Sequence, residues 1–347
     1  MRRYMRASDQ LELQRLLEFT SRVGSDPLLT QASSGNSSAK LNGVLWIKAS
    51  GKWMADAISD DIFIPLDLAE IRERLRLGVD PVEQYPSASL ETAMHATLPH
   101  RVVLHVHCVN IIAWAVRSDA PIQLQRRLDG LRWRWIPYIA SGLPLSREIE
   151  RALSAHPDTN VFVLGSHGLV IGGEDVKAVE DLLAEVRRCV AIPPRQAPPP
   201  DYGALTEMSR ESPWKLPDDD NVHAFGTDLI SQTILAGGLL YPCQAIFSGC
   251  GTPDLFRPVP YRDAGARWPD RYCNRPFLII KGRGVIVSRS MKPAALATIS
   301  GLAQVVQRLS ACAPLRYLTD AEIADISGQA VCRYRERANQ GRSRRDA

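Results

Sequence analysis

Residues 101–110 read RVVLHVHCVN and residues 161–173 read VFVLGSHGLVIGG. Both are short, Val-rich apolar runs, the signature of buried strands. Side chains alternate faces along a strand, so His105 and His107 point the same way and Val106 the opposite way. Two imidazoles side by side on a rigid strand are half of a zinc-type site. Such a site takes three protein ligands and keeps one position open for water or substrate. His167 ends the second apolar strand and precedes Gly168, where the chain can turn tightly. It is the natural third ligand. Taken alone, the His-x-His pair reads equally well as core histidines bonded to backbone, so the neighbouring segments decide between the two readings.

Upstream lies PSASLETAMH (86–95), with Glu91 ahead of a short helical stretch that includes His95. Further upstream, QASSGNSSAKLNGVLWIKASGK (31–52) places small-residue turns on either side of the strand GVLWIKAS. Such turns offer backbone N–H groups and hydroxyls that can cradle an oxyanion. In chain order the set is S-G-N-S-S, A-S-G, S-x-E, H-x-H and S-H-G-L-V-I-G-G.

That ordered set resembles the class II aldolase/adducin family over about residues 10–190. The resemblance implies a three-layer α/β/α domain in which His105, His107 and His167 bind a divalent metal, zinc by preference, with Mn2+ or Co2+ as alternatives. It makes Glu91 the catalytic acid/base and places Gly35, Asn36, Ser50, Gly51 and Ser89 against a substrate phosphate. Tyr138, in WIPYIASGLP, falls where the family often carries an aromatic or polar residue near the substrate. The stretch VLWIKASGKWMADA, followed by DIFIPLDL, is most similar to the aldolase part of bacterial bifunctional rhamnulose-phosphate aldolase/dehydrogenase proteins. No G-x-G-x-x-G follows a strand in this chain, so no dehydrogenase is expected in it. The family's paired serines before the glutamate are here Ser89-Leu90, and its Thr-Pro-Ser-Gly turn ends here as Ala49-Ser50-Gly51. Both changes leave the metal chemistry intact and keep non-phosphorylated substrates open. Lys48 and Lys52 either add positive charge at this turn or lie at a solvated strand end.

Composition fits a catalytic domain. The chain has 347 residues, 45% of them hydrophobic, enough for one large core or two modest ones. Its net charge of +4 is small and the charges are mixed along the chain, which argues against a nucleic-acid partner. No apolar run approaches a membrane span, and MRRYMRASDQ lacks the apolar stretch of a signal peptide, so neither membrane nor export is expected. Seven cysteines without any C-x-x-C read as reduced cytoplasmic thiols, with Cys108 pointing off the histidine face as a packing residue.

Periodicity predicts a helix over 8–23, a strand over 43–50, helices over 67–77 and 88–98, a strand over 101–109, two strands around His167 and a helix over 174–191. Alternating strands and helices of this kind argue for a layered α/β domain. Five prolines in IPPRQAPPPDYG then read as a semi-rigid spacer. The expected division is a catalytic domain at 1–192, a linker at 193–201, a second, smaller α/β unit at 202–335 and a basic tail at 336–347. The second unit reads as a helix over 222–238, a strand over 243–249, a strand pair over 276–290 and a helix over 292–310. PFLIIKGRGVIVSRSMKPAALATI aligns with VFVLGSHGLVIGGEDVKAVEDLL, with Arg283 opposite His167. Arginine does not ligate metals, so this unit reads either as a diverged, metal-free half-copy or as an ordinary strand–turn–strand–helix.

A tris-imidazole metal with an open position can grip the carbonyl and hydroxyl oxygens of a ketose while Glu91 moves protons and Tyr138 hydrogen-bonds the aldehyde oxygen. The expected activity is retro-aldol cleavage of a small sugar phosphate or related ketose. An epimerase on the same site and an adducin-like interaction domain are the alternatives, the latter having no physical need for three ligands and an acid. A small-molecule substrate and a homo-oligomer, dimer or tetramer, complete the expectation.

Overall fold

Alternation along residues 102–106 sets the layers. Val102, Leu104 and Val106 enter one apolar core, while Val103 enters another on the opposite face of the same strand. A computed structural model describes residues 6–247, 253–260, 272 and 275–328. Its main sheet has seven strands: β1 (Asn36–Leu41), β2 (Val44–Lys48), β3 (Phe63–Asp67), β4 (Val102–Val106), β5 (Trp133–Ile136), β6 (Val161–Leu164) and β7 (Gly168–Gly173). Their spatial order is β3-β2-β1-β4-β7-β6-β5, and every pairing is antiparallel except β5 with β6.

One face is covered by α1 (Ala7–Ser25), α4 (Val109–Ala115), α5 (Ala120–Arg127) and α7 (Val176–Val190). Leu13, Leu16 and Phe19 of α1 and Val179, Leu183 and Val186 of α7 recur at helical spacing and are buried there. The other face takes α2 (Leu68–Arg76), α3 (Thr92–Thr97) and α6 (Leu143–Ala155), through Ile71, Met94 and Ile149. This is the expected sheet with helices on both faces. The helix expected over 88–98 is only α3, because Glu91 and the residues before it form turns that aim their side chains into the site.

α4 was not separately expected, because VNIIAWA is apolar except at Asn110 and shows no stripe. Its Ile111, Trp114 and Ala115 face the main sheet's core, while Val109, Ile112, Ala113 and Val116 face a second core. That second core lies in the C-terminal part, which comprises α8 (Tyr202–Ser209), α9 (Ala224–Thr227), α10 (Leu229–Ala236), α11 (Pro242–Phe247), α12 (Pro293–Val306) and α13 (Asp320–Gly328), with a three-stranded antiparallel sheet of β8 (Trp214–Lys215), β9 (Phe277–Ile280) and β10 (Gly284–Ser288) in the order β8-β10-β9. α8 and β8 pack in a separate cluster on the other face of that sheet.

Several expectations need correction here. The single helix over 222–238 is broken at Asp228, whose extended backbone and carboxylate cap α10 by accepting from the amides of Ile230 and Ser231. The strand expected over 243–249 is helix α11 as far as Phe247, with residues 248 and 249 outside the described residues. Pro242 opens that helix and Gln244 reaches back to accept from the amides of Leu240 and Tyr241, a helix-starting pattern that outweighs the apolar run. The proline-rich stretch is irregular, as expected, but it is docked rather than a free spacer. Arg195 pairs with Asp228 at 2.6 Å and its amide donates to Gln307 at 2.7 Å. The segment 1–5 and the tail 336–347 lie outside the described residues.

The β6–β7 and β9–β10 hairpins share one geometry. Leu164 pairs with Gly168 and Ile280 with Gly284, each across a three-residue connection, so Arg283 does stand where His167 stands. Arg283 there forms an ion pair with Asp201. Among the described residues no helix is long and apolar enough to cross a membrane.

Candidate metal centre

The strand expected over 101–109 ends at Val106, so β4 carries His105, the short link to α4 carries His107 and the β6–β7 connection carries His167, and the three come together. The ring centroids of His105, His107 and His167 lie 4.9–5.2 Å apart in a near-equilateral triangle, all three buried. One ring nitrogen from each falls within 4.8 Å of the others. Glycine makes the approach feasible: a Cβ on Gly168 would lie 2.6 Å from the Val106 carbonyl and 3.3 Å from the rings of both His105 and His107. Gly35 is equally constrained, with φ +69° and a Cβ position 2.8 Å from the His105 carbonyl.

The hydrogen bonds determine which nitrogens point inward. His105 Nδ1 lies 3.0 Å from the Leu169 carbonyl, which can only accept, so the proton is on Nδ1 and the Nε2 lone pair is left for the centre of the triangle. His105 Nε2 and His107 Nε2 are 3.2 Å apart. This donor set fits a divalent ion that takes imidazole nitrogen.

Glu91 borders the same space. Its Oε1 is 3.1 Å from His167 Nε2 and 3.4 Å from His105 Nε2, and the side chain is buried. Its other oxygen accepts from Asn36 Nδ2 at 2.6 Å. Because a carboxylate only accepts, the Asn36 amide nitrogen must face it, which turns Oδ1 toward His95 Nε2. His95 therefore carries its proton on Nε2, and its Nδ1 accepts from the Ser38 hydroxyl at 2.7 Å. Burial lowers the His95 pKa from 6.5 to about 3, with Lys40 and His105 adding to the fall against the pull of Glu91. The result is a buried chain Ser38–His95–Asn36–Glu91 ending at the histidine triangle. The sequence reading left out His95 as a functional residue, although its spacing of four from Glu91 on α3 was a usable signal.

Of the residues expected at a substrate anion, Asn36 and Ser89 join this chain directly. Asn36 stands opposite His105 in the β1–β4 ladder, and Ser89 Oγ accepts from Asn36 at 3.0 Å. Ser50 is buried with its Oγ unpartnered, beside Gly51 at φ +75°. A buried hydroxyl without a protein partner is satisfied by water or by a ligand atom. Lys48 is not at a solvated strand end. It is 2% exposed, and its ammonium donates to the carbonyls of Ser33, Ala49 and Lys52, tying the two turns together. Lys52 is outside this cluster and pairs with Asp60 at 2.6 Å. Tyr138 is half-buried against the second core, with Arg316 stacked over its ring at 4.8 Å. Cys108 is buried in the core under β4, where burial raises its thiol pKa.

Residues 14–192, just over half of the chain, match the family model of the class II aldolase and adducin N-terminal domain. The chain belongs to the class II aldolase/adducin family. A similar curated protein is an uncharacterized oxidoreductase of Bacillus subtilis, YuxG, 29% identical over 174 residues, 44% of this chain. The chain matches only 25% of that protein's length. Among solved structures, the N-terminal class II aldolase domain of a conserved Thermoplasma acidophilum protein is 23% identical with a TM-score of 0.46, over 52% of this chain and 92% of that one. The L-fuculose-1-phosphate aldolase of Thermus thermophilus is 18% identical with a TM-score of 0.37, over 51% and 92%.

Proposed function

We propose that this family member is a divalent-metal-dependent aldehyde-lyase that cleaves a small ketose or sugar phosphate by a retro-aldol reaction. The observation that carries the reading is the convergence of three imidazoles on a space bordered by one buried carboxylate, Glu91 at 3.1 and 3.4 Å. His105, His107 and His167 hold the ion, with zinc first in order and Mn2+ or Co2+ as alternatives. When bound, it supplies Lewis-acid polarisation of the substrate's carbonyl and hydroxyl oxygens.

Glu91 takes the proton from the hydroxyl β to the carbonyl as the carbon–carbon bond breaks. It returns a proton to the carbon that carried that bond. Asn36 holds the carboxylate in line through Oε2, leaving Oε1 toward the reacting atoms. Ser50, Gly51, Gly35 and Ser89 form the wall that receives the substrate's anionic or hydroxylated end, and Tyr138 hydrogen-bonds the aldehyde oxygen. Because Asn36 and Ser89 are already bonded to each other and to Glu91, phosphate capture falls chiefly to the Ser50 turn, and free keto-sugars remain candidate substrates. We also propose a domain division at 1–192 and 202–335 with 193–201 between, a cytoplasmic setting and a homo-oligomer.

The test is metal analysis of purified, unchelated protein, which should show about one divalent ion per chain. His105→Ala should abolish it, since one lost ligand of three costs most of the metal affinity. Metal-free protein that gains no activity with zinc, manganese or cobalt overturns the site.

A further inference from the structure

Of the three histidines, His107 has its outer partner in the C-terminal unit. Its Nδ1 lies 3.1 Å from Sγ of Cys243, on α11, and the two residues are 136 positions apart in the chain. Both are buried, at 4% exposure each. The other ring nitrogen, Nε2, faces His105 inside the triangle. We propose that Cys243 is a positioning residue for His107, so that the C-terminal unit is a working part of the metal centre rather than an appendage. The inference rests on the metal reading of the triangle.

The argument follows from the chemistry of imidazole. A ring that offers the Nε2 lone pair to a metal must carry its proton on Nδ1, and that N–H needs an acceptor when buried. His105 uses a backbone carbonyl of its own domain, Leu169. His107 uses a sulfur delivered by a helix whose position depends on the second core. α11 is fixed there by Gln244, which accepts from the amides preceding it, and by Cys243 itself among the apolar side chains. A second link runs in parallel. Arg316, whose amide donates to Val116 at 2.8 Å, also donates to the hydroxyl of Ser166, the residue before His167. Two of the three ligand positions therefore have neighbours from beyond residue 200.

The test uses the full-length chain and needs no substrate. Zinc dissociation constants are measured by competition with a chromophoric chelator for wild type, Cys243→Ala, Cys243→Ser and Ile246→Ala, with melting temperatures of the metal-free forms alongside. Cys243→Ala should weaken zinc about 10–100-fold, the usual cost of losing an outer partner of a ligating histidine. Cys243→Ser, whose hydroxyl oxygen still accepts from Nδ1–H, should recover most of that loss. Ile246→Ala, on the same helix, should lower the metal-free melting temperature without changing zinc affinity. Equal affinities in wild type and Cys243→Ala overturn the inference alone, as does a loss that Ile246→Ala reproduces. A sulfur-to-metal charge-transfer band in the cobalt-loaded protein overturns it too, by placing the thiol on the metal. A wild type that binds no metal refutes the metal reading itself, and the inference with it.

Discussion

Replacing Glu91 with glutamine separates the chemistry of the site from its architecture. The carboxylate spans two sets of partners: Asn36 Nδ2 at 2.6 Å on one oxygen, and the Nε2 atoms of His167 and His105 at 3.1 and 3.4 Å on the other. A glutamine amide is nearly isosteric and can satisfy both. Its carbonyl accepts from Asn36, and its NH2 group faces His105 Nε2, which bears a lone pair because Nδ1 donates to Leu169. The unfolding free energy should therefore move by about 1 kcal/mol or less, a melting shift of about 2–4 °C at most. Metal supplied in excess should still bind at one ion per chain. Turnover should fall at least ~100-fold, or about 2.7 kcal/mol of barrier, because the amide can neither take nor return a proton. The assay is a panel of ketose 1-phosphates, free keto-sugars and keto-acids with coupled detection of aldehyde or dihydroxyacetone phosphate, run on wild type and variant with the same metal loading. A variant that loses its metal or unfolds would make Glu91 a ligand or a structural residue, and the proposed proton transfer would need another group. Unchanged turnover would remove Glu91 from the mechanism.

The buried His95 gives the fold an acid-side liability. Its folded pKa of about 3 lies below the ordinary 6.5, so between those values the unfolded chain binds a proton the folded chain does not, and stability falls as pH drops from 6.5 toward 3. Denaturant titrations at pH 7 and pH 4.5 should show a smaller pH-dependent loss in His95→Gln than in wild type, and an identical loss in both would refute the assignment. Truncation after residue 192 should leave the protein insoluble or aggregated, since Val109, Ile112, Ala113 and Val116 would lose the second core, each valine or isoleucine among them being worth about 1.5–3 kcal/mol when buried. The full chain should scatter light as a particle of about two subunits, and a stable, active tetramer of residues 1–192 would rule the packing argument out.

How much of this was legible in the sequence depended on how local each signal was. The His-x-His strand could be read because alternation is a property of the strand itself, and Val102, Leu104 and Val106 do take the face opposite the histidines. His167 could be read because the glycine after it licenses the close turn. β1 was missed: Asn36–Leu41 reads as a small, polar turn and becomes a strand only because β2 and β4 flank it and satisfy its backbone. α4 was missed for the opposite reason, since a helix wanted by two cores carries a single polar residue, Asn110, too little to mark its period. Lys48 read equally as a charge at the turn or as a solvated end, and its ammonium is in fact consumed by three carbonyls from turns that only the folded chain brings together. The same limit applies to the outer layer of the metal centre. Nothing in CQAIF announces a partner for a histidine 136 residues earlier, because the pairing depends on how α11 and α4 share one core. Local periodicity therefore reveals the three histidines, which sit on β4, just after it and in the β6–β7 turn. The side chains that neighbour His107 and the turn of His167 come from far along the chain, where no local pattern marks them.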